Sequence, residues 1–344
     1  MTPVTPVTAE PAVPAVPAVP LVSVIFPTYN RRDVVQRTIE HLLAQDYPRD
    51  RYEIIVADNS SDSTPEMVLE LAASSDVRIV LQSSDERLPA VKRNLALRSA
   101  AGEIVVFMND DVWVRPDFLR RHVAAHAAQA DPVAVLGLVE QSDQMPQTAF
   151  TEWYQPFAYG EIADRGGAEV SYRYHWSMNL SLPRAVMLER NLVFHEDWSE
   201  IGHEDIELGY RWTRAGYRVV FEPRAWGEHY HPHDLASACR LQASIGRGLR
   251  DLEVLIPEPD LLERYGVLTR RASWRGRLRM GVRTALFNRY TVPLLQPRLE
   301  RVDRRARLAE WTYWKVMLHH TQHAYRTTPR RRPVPTATTP GVST

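Results

Sequence analysis

Cysteine is nearly absent from this chain: Cys239 is the only one in 344 residues. That excludes an intrachain disulfide and any cysteine-built metal cluster, and it suits a reducing compartment. Also missing is an apolar run of bilayer-spanning length, and the N-terminus has no basic stretch leading into an apolar one. Neither a membrane span nor a secretory signal is expected, and the cytoplasm is the expected location. A glycine-rich phosphate loop is lacking too. The first apolar segment runs into "FPTYNRRD" without a glycine. This argues against a G-x-G-x-x-G dehydrogenase and against a nucleotidyltransferase with a Gly-rich basic loop.

Net charge is also lacking, with 42 basic against 42 acidic residues, but the balance hides an asymmetry. Residues 240–332 hold 21 lysines and arginines against 8 acids, so the rest of the chain is correspondingly acidic. An anionic partner such as a membrane surface or phosphorylated lipid fits that basic region, and so do arginines that merely solvate long helices. "RRASWRGRLRMGVRTALFNRY" (270–290) reads as a basic amphipathic helix, and 307–318 repeats apolar residues at helical spacing. Peripheral contact with the inner face of a membrane, homodimerisation and packing on the rest of the chain all explain the pattern.

Both ends are low in complexity. Residues 1–20, with "PAVPAVPAVP", and 329–344, basic then Pro/Thr-rich, read as disordered tails. Between them, apolar segments at 21–26, 52–57, 77–81, 103–108 and 133–139 alternate with helical patterns at 33–44, after 64, at 90–100 and at 117–128. Repeated β-α units imply a mainly parallel, Rossmann-like sheet flanked by helices. Such sheets bind ligands beyond the carboxyl ends of their strands. Polar residues collect at those ends: Pro27 and Tyr29 after the first strand, Asp58 after the second, Asp110 and Asp111 after the fourth. An aromatic can stack on a base, one carboxylate can accept from a base or ribose, and another can hold a hard divalent cation.

"VSVIFPTYNR", "VADNSSDST", "KRNLAL", "GEIVVFMNDDVWVRPDF" and "GHEDIELGYRWTRAGYRVVFEPRAWGEHYHP" together resemble family 2 glycosyltransferases of the GT-A fold. The likeness covers residues 21–235, leaving 236–328 as a helical, basic C-terminal region. Asn109 is a departure, since many relatives carry a third aspartate there. The resemblance implies an inverting transferase that uses a nucleoside-diphosphate sugar, UDP-linked in first place, with Mn²⁺ or Mg²⁺ as cofactor. It implies base contacts from Asp58 and from Tyr29 beside Pro27, a ribose contact from Asp110 and metal ligation by Asp111. A basic residue on the third helix approaches the nucleotide in the family, which points to Arg93, with Lys92 and Arg87 near it. No nucleic-acid partner is expected.

In "HEDIELGYRW" (203–212), Ile206, Leu208, Gly209 and Trp212 form a helical apolar stripe, with Glu204 and Asp205 at its start. Acids there are favoured by capping and by the helix dipole. Inverting transfer also needs a carboxylate to take the acceptor proton, and the resemblance assigns that role to Asp205, beside Glu204. His203 and Trp176 are placed on the acceptor side. His229, His231 and His233 alternate, as on one side of an extended segment. The resemblance implies one metal-binding histidine, His229 before His231. The acceptor, a saccharide, lipid-linked glycan or small metabolite, is left open. A catalytically silent sugar-nucleotide-binding protein of the same fold is the competing expectation.

Overall fold

The computed structural model describes residues 19–146, 148–154, 159–267, 273–301 and 307–330. The expected tails at 1–20 and 329–344 fall almost wholly outside the described residues. The strands are β1 (Val22–Thr28), β2 (Tyr52–Asp58), β3 (Arg78–Ser83), β4 (Ile104–Met108), β5 (Val112–Val114), β6 (Val133–Gln141), β7 (Glu169–Val170), β8 (Asn179–Pro183) and β9 (Arg218–His229). They join one sheet in the order β3-β2-β1-β4-β8-β6-β9-β5, with β7 also on β9.

The first four strands are parallel. Apart from Ser23, Thr28, Tyr52, Glu53 and Asp58, β1, β2 and β4 turn apolar side chains to both flanking helical layers, and they are almost entirely buried. Parallel strands covered on both faces require such runs. Beyond β4 the sheet becomes mixed. β8 enters antiparallel between β4 and β6, and β9 then runs parallel to β6. The 133–139 segment is therefore a strand, as expected, but it is separated from β4 by a later one.

β6 and β9 are out of step by a bulge between Gly137 and Leu138. A Cβ at Gly137 would collide with the Ala225 carbonyl and the Asn179 amide. Asn179 uses that close approach to donate to Ala225 O (2.8 Å) and Leu138 O (3.2 Å). Three residues of β9, Pro223 to Ala225, are left without a partner there, and the irregularity re-aims the strand's end toward the carboxyl edge of β4.

The main core continues into the C-terminal region through Leu249, Leu252, Ile256, Leu261 and Leu262. A second apolar cluster joins Phe150 and Tyr154 to Leu235, Phe287, Tyr313 and Val316. Of the aromatic residues after β6, Phe150, Trp153 and Tyr154 thus pack against the C-terminal helices, whereas Tyr159 stacks on Phe221 in the main core; Phe157 lies outside the described residues. Helices Leu235–Leu255 and Arg307–Thr327 pack along each other, where Gly246 admits the Thr321 backbone at a distance that no side chain would permit. No helix among the described residues is long and apolar enough to cross a membrane.

Candidate active site

The carboxyl ends of β1, β2 and β4 meet at one edge, as the β-α alternation implied. Asn30, in the left-handed region at φ 51°, turns the chain after β1. Its Oδ1 accepts from Ser61 N (2.7 Å) and Asp62 N (3.3 Å), tying the first loop to the second. Asparagine tolerates that conformation better than most residues. Tyr29 stays more than half exposed at the rim, and Asp58 is buried with its Oδ1 accepting from Ser60 N and Oγ. Tyr29, Asp58, Asn59 and Arg87 line a cavity of about 350 Å³. A neighbouring cavity of about 400 Å³ is lined by Pro27, Tyr29, Arg31, Lys92 and Asp110.

Asp110 and Asp111 are both buried at the end of β4. Thr28 Oγ1 donates to Asp110 Oδ2 and Thr38 Oγ1 to the Asp110 carbonyl, each at 2.7 Å. Arg31, a residue the sequence did not single out, reaches both carboxylates through Nη1, at 2.7 Å from Asp110 Oδ1 and 2.9 Å from Asp111 Oδ2. Its only earlier hint was its place in a glycine-free basic loop after β1. Burial beside Asp111 pushes the Asp110 carboxyl up to about 6. Burial acts in the same direction on Asp111, but His229, His231 and Arg31 outweigh it and hold that carboxyl well below the usual range.

The histidines arrive by strand register. β5 pairs antiparallel with β9 so that Val112 faces His229, one residue from Asp111. His229 Nε2 lies 3.3 Å from Asp111 Oδ1, and His231 Nδ1 lies 2.7 Å from Asp111 Oδ2. The rings of His229, His231 and His233 stack in sequence, so the period-two alternation does put them on one side. Asp111, His229 and His231 bring one ligand atom each within 4.8 Å of one another. Both histidines left as alternatives by the sequence are therefore at the carboxylate.

Facing this group is the start of the helix Glu204–Arg214. Gly209 lets that helix press against His175 and the Tyr172 carbonyl, where a Cβ would collide. The close packing brings Asp205 Oδ2 to Ser177 N (3.1 Å), while Oδ1 accepts from Ile206 N (2.8 Å). His203, not Asp205, holds the N-cap position. Burial first, and then the neighbouring Glu204, raise the Asp205 carboxyl to about 7. Glu204 Oε1 pairs with Arg93 Nη1 at 3.0 Å, and its Oε2 accepts from Gly202 N at 2.8 Å. Arg93 also reaches Asn109 Oδ1 at 3.4 Å, so its guanidinium lies between the third-aspartate position and the acidic pair. Lys92 points the other way, donating to Thr28 O (2.7 Å) and Asn59 Oδ1 (2.8 Å), and burial lowers its ammonium to about 8.

Asp205, Glu204, His203, Trp176, Arg93, His229 and His231 all line a cavity of about 750 Å³. Its far wall comes from the C-terminal helices, through Leu241, Gln242, Ile245, Trp314 and Thr321, which the sequence did not identify with a site. His203 is buried, with Nε2 3.3 Å from the Ile245 carbonyl and Nδ1 without a hydrogen-bond partner. His175, equally buried, places Nδ1 3.0 Å from the Asp205 carbonyl and is pushed down to about 4, so its ring stays neutral beneath the helix start.

A half-parallel sheet that gathers a rim cavity, an Asp–His–His group and a buried carboxylate at one edge defines a GT-A type of molecule. Residues 23–180 match the model described as Glycosyl transferase family 2. The uncharacterized glycosyltransferase YfnE of Bacillus subtilis (strain 168) is 33% identical over 272 residues, covering 65% of this chain and 68% of that protein. Two validoxylamine A glucosyltransferases, from Streptomyces hygroscopicus subsp. jinggangensis (strain 5008) and subsp. limoneus, are each 29% identical over 263 residues, 69% of this chain. The chain spans 62% and 58% of their lengths. Among solved structures, mannosyltransferase PcManGT from Pyrobaculum calidifontis, in complex with GDP-Man and Mn²⁺, superimposes with a TM-score of 0.62 at 22% identity, over 90% of this chain and 87% of that one. At that identity the likeness establishes the fold. The chain belongs to the family 2 glycosyltransferases.

Proposed function

We propose that this chain is a metal-dependent, inverting glycosyltransferase that moves a sugar from a nucleoside-diphosphate donor to an acceptor hydroxyl. The observation that carries it is the placement of Asp205 and the two histidines of the Asp111 group on one cavity, which opens beside the Tyr29–Asp58 rim. Tyr29 offers a flat face to the base, Asp58 accepts from it, and Asp110 accepts from the ribose. Lys92 and Arg31 supply positive charge where the diphosphate lies. A UDP-sugar is the first donor to try, and the relative solved with GDP-Man makes a GDP-sugar the second.

The Asp111–His229–His231 donor set fits a divalent cation, and the Arg31 guanidinium paired with both aspartates supports a position of negative potential. Two imidazole nitrogens suit Mn²⁺ better than Mg²⁺, which favours oxygen ligands. When bound there, the ion stabilises charge on the departing nucleoside diphosphate. Asp205 takes the acceptor proton as the hydroxyl attacks the anomeric carbon from the opposite face, which inverts its configuration. A carboxyl raised to about 7 is well matched to that task near neutrality. Glu204 acts through its neighbour, raising the proton affinity of Asp205 while holding Arg93. Trp176 presents its ring to an acceptor sugar.

The test is release of nucleoside diphosphate from a panel of UDP- and GDP-sugars with Mn²⁺, with and without saccharide acceptors, alongside anomeric NMR of the product. Metal-dependent release and an inverted anomer support the proposal. No release with any donor would favour the silent sugar-nucleotide-binding alternative, and retained configuration would remove Asp205 from its role.

A further inference from the structure

On the helix Trp274–Leu286, the side chains of Trp274, Leu278, Val282 and Leu286 are 69%, 60%, 54% and 56% exposed. They recur every four residues, so they form one continuous apolar stripe turned to solvent. In the turn and helix that follow, Tyr290 and Leu294 are also about two-thirds exposed. Trp311 adjoins the stripe, with its ring edge-on to the buried Phe287. A surface helix normally turns such a stripe to the core, and an exposed patch of this size marks an interaction face.

Charge decides what the face meets. Residues 273–301 contain seven arginines and a single acid, Glu300. Arg275 lies beside the Trp274 ring and Arg289 over the Tyr290 ring, so the cations border the apolar stripe itself. A second copy docking by the same face would bring these arginines together without countercharge. An anionic bilayer supplies both an apolar interior for the stripe and phosphates for its border. We infer that the face formed by Trp274, Leu278, Val282, Leu286 and the bordering arginines binds the surface of an anionic phospholipid membrane, lying in the interface without spanning it. Trp314, on the wall of the larger cavity, is one turn from Trp311, so docking by this face brings that cavity next to the lipid. The inference is independent of the chemistry proposed above.

The experiment is vesicle flotation of the full chain with phosphatidylcholine alone and with phosphatidylcholine mixed with phosphatidylglycerol. The protein is expected to float with the mixed vesicles, much less with the neutral ones, and to be released in ~1 M salt, where the Debye length is about 3 Å. Trp274→Ser combined with Leu278→Ser should reduce partitioning by about tenfold or more. Arg275→Glu combined with Arg289→Glu should do the same, with the melting temperature unchanged in both variants because these side chains are exposed. Failure to float, or equal floating of wild type and both variants, would overturn the inference. So would sedimentation velocity showing a wild-type dimer that Trp274→Ser with Leu278→Ser converts to monomer, since the stripe would then be a subunit interface.

Discussion

Arg31 Nη1 stands 2.9 Å from Asp111 Oδ2, closer to that carboxylate than His229 Nε2 at 3.3 Å. A guanidinium therefore shares the carboxylate that the proposed metal set would use. A divalent ion taken up by Asp111 and the two histidines meets that charge at short range. Arg31→Ala is expected to bind Mn²⁺ about tenfold more tightly without nucleotide, a change of about 1.4 kcal/mol. The same variant should melt lower in the absence of the ion, because the repulsion between Asp110 and Asp111 then lacks the guanidinium that pairs with both, and recover when Mn²⁺ is added. Calorimetric titration with Mn²⁺ alone and melting with and without it read both effects. Equal Mn²⁺ affinity in the two proteins would reject competition by Arg31.

The strand register places His229 beside Asp111, and the stacked rings place His231 on its other oxygen. Both are expected to ligate. His229→Ala and His231→Ala should each weaken Mn²⁺ binding by about tenfold or more, within the span seen when ligand shells are disturbed. His233→Ala should change it far less, because that residue lies outside the ligand group. Loss confined to one of the first two would reduce the set to Asp111 and a single imidazole.

His122 lies under the sheet, fully buried, between Ser181 Oγ at 2.8 Å and Asn179 Oδ1 at 2.9 Å. Burial pushes its ring down to about 4. The folded state thus refuses a proton that the unfolded chain accepts near 6.5, so this contribution to stability is complete above 6.5 and is lost as pH falls toward 4. The slope from this one group is about 1.4 kcal/mol per pH unit. His122→Gln, which keeps a donor and an acceptor but does not titrate, should flatten the urea-unfolding stability curve between pH 6.5 and 4.5. An unchanged slope would assign the acid sensitivity to other groups.

The parallel half of the sheet was legible in the sequence because strands covered on both faces must be apolar throughout, and because each ended in polar residues at the binding edge. The insertion of β8 between β4 and β6 was not, since its Asn-Leu-Ser-Leu pattern carries no information about which neighbour it will pair with. The alternation of His229, His231 and His233 correctly put them on one side, but only the β5–β9 register shows that two of them reach Asp111. Arg31 escaped notice because an arginine in a loop reads as a surface charge until its partners are seen. Leu241, Ile245 and Trp314 escaped because helical periodicity distinguishes a buried face from an exposed one without saying whether the buried face meets a core or a cavity. The same periodicity marked residues 270–290 as amphipathic, and the structure turns the apolar side of the described part outward.

Asp205 separates capping from catalysis. His203 holds the N-cap position without a side-chain cap bond, and the Asp205 carboxylate accepts from Ser177 N, Ser177 Oγ and the first-turn amide of Ile206. Around it stand Glu204, Arg93, His175, His203 and Tyr265, and burial with the Glu204 charge puts its carboxyl at about 7. As a general base it must be ionised, so transfer should fall about tenfold per pH unit below 7 and level off above. The folded-state value is raised, so the folded protein holds a proton that the unfolded chain releases near 4. Stability from this group therefore declines as pH climbs from about 4 to 7, and above 7 the buried charge is a fixed cost. Asp205→Asn removes both the base and that cost. Transfer should drop roughly 10²–10⁴-fold and lose its acidic limb. Donor affinity should stay unchanged, and at pH 8 the melting temperature should be no lower than that of the wild type. Transfer rates from pH 5.5 to 8.5, donor titration and melting on the same purified variant decide the matter. Near-normal transfer rejects the base, whereas loss of donor binding together with transfer moves Asp205 to the nucleotide side of the cavity.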